Sequence, residues 1–312
     1  MPAQTKIPWT DSTFNPWLGC THASPGCDHC YAEAMNRRYG WNGGTWGPKA
    51  PRKVTAEGNW KVPLTWERQA ARGFMGKSGA RRLVFGGDLC DIFDDRGPSA
   101  ARENLWSLIR ETPHLTWQIL TKRPQNFQRL LPSDWGDGYE NVWLGVTVDD
   151  REHGYPRVDL LRDTPARVRF LSCEPLLEDI GDIDLGGIHW VIVGGESGQQ
   201  ARPFDLAWAR ALKANCERSG AAFFFKQLGK VPRDDGRQFS IMQPQANGKR
   251  DLHGVCRDNF PPDLDVQDWP RANADRSGCR NHAGWDDLPA PARLFLSRRG
   301  CSGTRFHGPS TI

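Results

Sequence analysis

No stretch of this chain approaches the roughly 20 consecutive apolar residues of a membrane-spanning helix. Its opening, Met1 to Asp11, holds no apolar run of the signal-peptide kind. The expectation is therefore a cytoplasmic protein with no membrane partner, whose thiols stay reduced. No phosphate-cradling loop of the Walker type appears, nor a G-x-G-x-x-G dinucleotide fingerprint. Gly195-Glu196-Ser197-Gly198 does not have the G-x-S-x-G spacing, which argues against a serine hydrolase. Charge of one sign is also scarce in excess: 41 basic against 37 acidic residues leave +4. Lysine is the rarer cation, 10 against 31 arginines. An arginine-rich surface suits phosphate forks and base stacking, although so small a net charge is weak support for a nucleic-acid partner.

What is present is enough for a folded core. Hydrophobic residues make up 38% of the chain, and 14 tryptophans carry much of the apolar area. A length of 312 residues is about twice the usual single-domain size of roughly 150. It allows one α/β barrel with an appendage or two medium domains.

Six short apolar runs end in polar or glycine residues. They are Arg82–Phe85, Leu115–Leu120, Val142–Val146, Val168–Leu171, Trp190–Val193 and Ala222–Phe225. Near-continuous apolar runs suit strands buried on both faces. Between them lie helical patterns. Ser99–Arg110 places Leu105, Leu108 and Ile109 on one face. Asp205–Ser219 has Asp205 as its N-cap, Gly220 as its stop, and Leu206, Ala209, Leu212 and Cys216 as its stripe. This rhythm predicts βα units and a parallel sheet or barrel. Residues 39–63, rich in Gly, Trp and Pro, read as an excursion loop. Residues 231–312 show little periodicity and read as a loosely structured appendage.

Nine cysteines stand in the chain, and three of them fall within eleven residues: Cys20, Cys27 and Cys30, a C-x6-C-x2-C set. In a reducing compartment such clustering points to metal rather than disulfides. Three thiolates on a short loop suit a cubane iron–sulfur cluster with one iron left open. They equally suit zinc with His22 or His29 as a fourth ligand, or a chance grouping.

These residues carry a resemblance. Asn15-Pro16-Trp17-x-Gly19-Cys20 with Ser24-Pro25-Gly26-Cys27-x-x-Cys30-Tyr31-Ala32-Glu33 resembles a phage and bacterial family of radical-SAM-like proteins with a three-cysteine motif. Gly87-Asp88-Leu89, Leu120–Pro124, Trp143–Thr147, Phe170–Leu177, Trp190–Gly198 and Phe225–Gly229 are similar to its successive strand ends. The resemblance spans residues 7 to 230 or so. It implies a radical-SAM-type partial (βα)6 barrel over residues 1–230 with a [4Fe–4S] cluster on Cys20, Cys27 and Cys30. S-adenosylmethionine would chelate the open iron, and a reductant would drive its cleavage to a 5′-deoxyadenosyl radical that abstracts hydrogen from the substrate. The first cysteine gap is six residues rather than the three of most radical-SAM enzymes. Such genes are common in phages, which elaborate their DNA bases against host nucleases. The substrate expected by analogy is therefore a modified pyrimidine in DNA, rearranged or isomerised. A small molecule or peptide substrate, or a non-catalytic zinc or iron–sulfur nucleic-acid adaptor, are the alternatives.

The strand ends supply the candidate site residues. Gly86, Gly87 and Asp88 are expected at the S-adenosylmethionine amino group, and Lys122 and Arg123 at its carboxylate or at a phosphate. Gly194, Gly195 and Glu196 are expected near its adenine or ribose, with His29 beside the adenine. Glu174 and Lys226 are the catalytic candidates. Cys90 and Cys173 read as buried inert thiols before anything reactive. In the appendage, His253, Cys256, Cys279 and His282, with Cys301 and His307 in reserve, form a candidate structural zinc site. Trp41, Trp46 and Trp60 lie among Arg and Lys in the excursion loop. They are candidates for stacking on the bases of DNA, or less readily RNA.

Overall fold

A computed structural model of the chain describes residues 5–241 and 254–270. Its centre is a seven-stranded, all-parallel sheet curled into a half-barrel. The strands are β1 (Ser12–Phe14), β2 (Leu83–Gly86), β3 (Thr116–Thr121), β4 (Val142–Thr147), β5 (Val168–Cys173), β6 (Trp190–Gly194) and β7 (Ala222–Gln227). They neighbour one another in chain order, with register partners such as Val84 and Trp117, Ile119 and Leu144, and Ser172 and Ile192. All six apolar runs named from the sequence are strands of this sheet. The seventh, β1, is only three residues long, too short for periodicity to show.

Five longer helices accompany the sheet: α1 (Tyr31–Tyr39), α2 (Val62–Ala70), α3 (Ser99–Arg110), α4 (Arg151–Arg162) and α5 (Leu206–Ser219). Parallel neighbours need crossovers: α1 and α2 lie in the one from β1 to β2, α3 in that from β2 to β3, α4 in that from β4 to β5 and α5 in that from β6 to β7. The Asp205 carboxylate accepts from the Ala207 N–H over 3.0 Å to cap α5, and Gly220 ends the helix at φ 77°. α4 starts the same way, with the His153 N–H donating to Asp150 over 2.7 Å. The pattern reading passes over α4 because Gly154 and Pro156 interrupt its apolar stripe.

Alternation along the strands builds two apolar clusters. Val84, Ile119, Leu144, Val191 and Val193 join Leu105, Ile109, Val158, Leu161 and Leu212 of the helices. Leu83, Phe85, Trp143, Phe170, Trp190, Ile192 and Phe224 gather on the other face with Trp9. Burying each such large side chain contributes about 1.5–3 kcal/mol. The second cluster is an aromatic plug, with Trp190 edge-on to Trp9, Trp143 and Phe224 at 5.8–6.2 Å.

Beyond residue 230 the described segments stay with the sheet. Pro232–Asp234 pairs in parallel with Phe204–Asp205 and antiparallel with Arg237–Gln238. The segment 254–270 lies along β7: the Phe225 N–H donates to the Val266 carbonyl, Trp190 Nε1 to the Asp268 carbonyl, and Phe260 packs edge-on to Phe225 at 4.9 Å. Cys256 is buried there, with its thiol against Asp258. The other proposed zinc ligands of the appendage, His253, Cys279, His282, Cys301 and His307, lie outside the described residues. Among the described residues no helix is long and apolar enough to cross a membrane.

Candidate active site

A parallel sheet brings the carboxyl ends of all its strands to one rim, where loops carry the chemistry. Asp88 follows β2, Lys122 and Arg123 follow β3, Glu174 follows β5, Glu196 follows β6, and Lys226 sits near the end of β7. The residues expected from the sequence therefore share one mouth.

The cysteine loop lies over this rim. It leaves a short hairpin of Trp17–Leu18 with Lys53–Val54, runs through a 3-10 turn at Pro25–Cys27, and enters α1 at Cys30. Three arginines from elsewhere in the chain hold its carbonyls. Arg123 donates to Thr21, Arg157 to Ala23 over 3.4 Å and Arg202 to Pro25 over 3.0 Å. Asp149, fully buried, grips the turn from below. It accepts from Ser24 Oγ at 2.5 Å and from the Gly26 N–H at 2.8 Å, and Arg157 holds its other oxygen at 2.8 Å. Its carboxyl titrates below the usual range: burial opposes this, but the Lys122 charge, the Ser24 bond and the Arg157 charge outweigh it. A side chain at Gly26 has no room, since a Cβ would come within 2.4 Å of the Asp149 carboxylate.

The three thiols are partly exposed and unpaired by disulfides. Arg123 Nη1 lies 3.6 Å from Cys20 Sγ and 2.7 Å from Asp91, whose carboxylate also accepts from Thr121 Oγ1. Burial pushes the Cys20 thiol up to about 12, with Asp91 adding and Arg123 opposing. Burial raises Cys30 too, while the Lys122 charge lowers it. The Cys27 thiol raises both, so its charge reaches Cys20 and Cys30. Three soft thiolates on one braced loop are the donor chemistry of iron–sulfur or zinc sites. Yet among the described residues no three or more His, Cys, Asp or Glu side chains converge closely enough to hold a metal ion. The donors fit in kind and in loop, and they are not drawn together.

The remaining expected residues have defined partners. His29 Nδ1 lies 3.1 Å from Glu196 Oε2, and Arg202 holds Glu196 Oε1 at 2.7 Å, so His29 and Glu196 tie the loop to the end of β6. His22, the other candidate fourth ligand, faces Glu33 at 3.1 Å. Gly194 and Gly195 lack side chains for a packing reason. A Cβ on Gly194 would meet Glu174 at 2.9 Å, and one on Gly195 would meet the Leu228 carbonyl at 2.5 Å. Gly86 is closed in by Ile119 in the same way, while Gly87 makes the turn into Asp88 at φ 96°. The Asp88 carboxylate accepts from Asn15 Nδ2 at 2.5 Å, and burial raises its pKa to about 6 against that bond. Glu174 and Lys226 form an ion pair at 2.8 Å. Lys122 differs from all of these: among the described residues its ammonium has no ion-pair partner, and its charge acts on both Cys30 and Asp149. Cys90 and Cys173 have thiols raised well above the ordinary range by burial, as inert thiols do. Trp60 is not a surface ring, since it packs edge-on against Phe14 at 5.2 Å.

Sequence reasoning missed Asp91, Asp149, Arg157 and Arg202. Asp149 had a signal, because it follows Thr147 at a strand end as Asp88 follows Gly87. Arg202 had none, since its partners lie 6 and 177 residues away. Arg123, Arg157 and Arg202 are thus spent on internal bonds.

A family described as "Protein of unknown function (DUF5131)" matches residues 4–261. No curated protein matches the chain. The matching family corrects the resemblance drawn from the sequence. It carries no assigned function, nothing connects the chain to the radical-SAM-like family, and the three cysteines are not gathered into a metal-holding group among the described residues. The partial barrel stands as an α/β half-barrel without that family attached.

Proposed function

We propose, for a chain that belongs to the DUF5131 family of proteins of unknown function, that it is an iron–sulfur enzyme acting with S-adenosylmethionine on a nucleobase substrate. The reading rests on this chain's own residues. The observation that carries it is the pairing of Lys122–Arg123 with the cysteine loop: Arg123 bonds Cys20 Sγ and the Lys122 charge acts on Cys30.

Cys20, Cys27 and Cys30 would hold the cluster. When bound, such a cluster supplies one electron and an iron with an open coordination position. The protein's part is orientation. Lys122, uncommitted among the described residues, is the cation for the co-substrate's carboxylate. Asp88 is the acceptor for its ammonium group. Glu174 and Lys226, an ion pair with Oε1 and Nζ 2.8 Å apart, are placed for acid–base work on the substrate. Arg123, Arg157, Arg202 and Asp149 hold the loop in place, and His29 with Glu196 anchors it to β6. The nucleobase, most simply a modified pyrimidine in DNA, is favoured by the basic aromatic segment beside the loop.

Anaerobic reconstitution with iron, sulfide and reductant tests the metal half. The expected result is a brown protein with about four irons per chain that is lost in Cys27→Ala. A colourless protein carrying one zinc overturns it.

A further inference from the structure

The excursion loop begins with a partly exposed ring stack. Tyr39, the last residue of α1, and Trp41 lie face to face, with ring centroids 5.0 Å apart and planes within 16°. Tyr39 is 53% exposed, and the Arg38 guanidinium sits 5.4 Å from its ring centroid. Stacked aromatics are ordinarily buried for their area, so a pair that leaves one ring half in solvent is unusual for a folded chain.

The stack is held in advance. Gly40 ends α1 at φ 63°, turning the chain so that Trp41 folds back on Tyr39. Asn36, buried, accepts from the Asn42 N–H at 2.9 Å and donates to the Thr45 carbonyl at 2.8 Å. Asn42 donates to the Pro51 carbonyl at 2.7 Å. Lys53 Nζ donates to the Trp41 carbonyl at 2.9 Å. The loop returns to the mouth, where the Gly47 N–H donates to the Cys20 carbonyl at 3.1 Å. From Ala34 to Ala56 the chain carries Arg37, Arg38, Lys49, Arg52 and Lys53 and no acidic residue. Of these cations, Arg52 is committed to Asp94 and Arg37 to Glu33. Arg38, Lys49 and Lys53 are exposed in this segment, Arg38 at the Tyr39 ring and Lys53 at the Trp41 carbonyl.

We infer that the Tyr39–Trp41 stack is a docking platform for a single-stranded polynucleotide, whose bases stack on the rings while Arg38, Lys49 and Lys53 face its phosphates. Aromatic faces accept any base and cations track the backbone, so recognition is tolerant of sequence. The α1 helix spans about 13 Å from Cys30 to Tyr39, so a strand on the platform lies beside the cysteine loop. This inference deepens the nucleobase half of the proposed function and needs none of its metal half.

The test uses the full chain without added metal and 5′-fluorescein-labelled oligonucleotides of deoxythymidine and of uridine, single-stranded and duplex. Anisotropy at low salt is expected to show binding of a single strand in preference to duplex, with quenching of tryptophan fluorescence. The sugar that binds more tightly identifies the source of the strand. Tyr39→Ala and Trp41→Ala are expected to weaken binding roughly tenfold each. Because a loop residue can affect folding, Lys49→Glu with Lys53→Glu serves as a second variant on exposed side chains. It is expected to lower the salt dependence of log Kd by about 0.7 for each phosphate that is no longer neutralised. Equal affinity of all variants for the strand, or no binding by the wild type at low salt, overturns the inference. Strand binding by a protein that fails to assemble a cluster counts against the metal reading alone.

Discussion

The backbone N–H of Gly26 donates to Oδ2 of Asp149 over 2.8 Å, across 123 positions of sequence. That bond fixes the middle of the cysteine loop to the end of β4, and the absence of a side chain at Gly26 lets it form. Gly26→Ala places a methyl within 2.4 Å of the carboxylate, so turn or aspartate must move. The expected loss is about 1–3 kcal/mol, read as a fall in Tm by thermal unfolding. Unchanged Tm would show that the turn relaxes freely.

The Arg202 guanidinium makes two bonds to Glu196, one to the Pro25 carbonyl and a longer one to Asp28. A lysine cannot reproduce that fork. Arg202→Lys and Arg202→Ala are both expected to open the loop, with hydrogen exchange at residues 24–30 faster by roughly tenfold to a hundredfold, as loss of about 1.5–3 kcal/mol implies. Exchange unchanged in Arg202→Lys would mean the carbonyl contact holds nothing.

The buried carboxyl of Asp88 has its pKa raised to about 6 from an ordinary value near 4. A carboxyl raised in the folded state holds its proton more tightly when folded. Its contribution to stability is therefore lost as pH rises from about 4 through about 6. Asp88→Asn removes that loss. The variant is expected to gain Tm relative to wild type between pH 4.5 and pH 7.5, measured by calorimetry at both. A difference independent of pH would contradict the burial of this charge.

Lys122 is the cation expected at the co-substrate's carboxylate. Lys122→Ala is expected to weaken binding of S-adenosylmethionine roughly tenfold by titration calorimetry, and Lys122→Arg to retain most of it. Equal affinities in wild type and Lys122→Ala would remove the residue from the site.

The sheet was legible because strands buried on both faces are written as apolar runs, and Asp205 and Gly220 mark both ends of α5 in local chemistry. β1 escaped because three residues carry no period, and α4 because Gly154 and Pro156 break its stripe. The site was legible only at its rim. Asp88, Lys122, Glu174 and Glu196 announce themselves as polar residues ending apolar runs. The bracing of the loop by Arg157, Arg202 and Asp149 depends on contacts over 6 to 177 residues, which no local pattern records. Trp60 and Trp41 show the same limit. Both stand in one glycine-rich segment, and only folding separates the ring packed on Phe14 from the ring stacked on Tyr39.

The central claim is that the three cysteines support reductive cleavage of S-adenosylmethionine. The direct measurement is 5′-deoxyadenosine formed by reconstituted, reduced protein, compared between wild type and Cys27→Ala. The expected result is product that depends on reductant and disappears in the variant. Equal product from Cys27→Ala, or none from a wild type carrying its full complement of iron and sulfide, would contradict it.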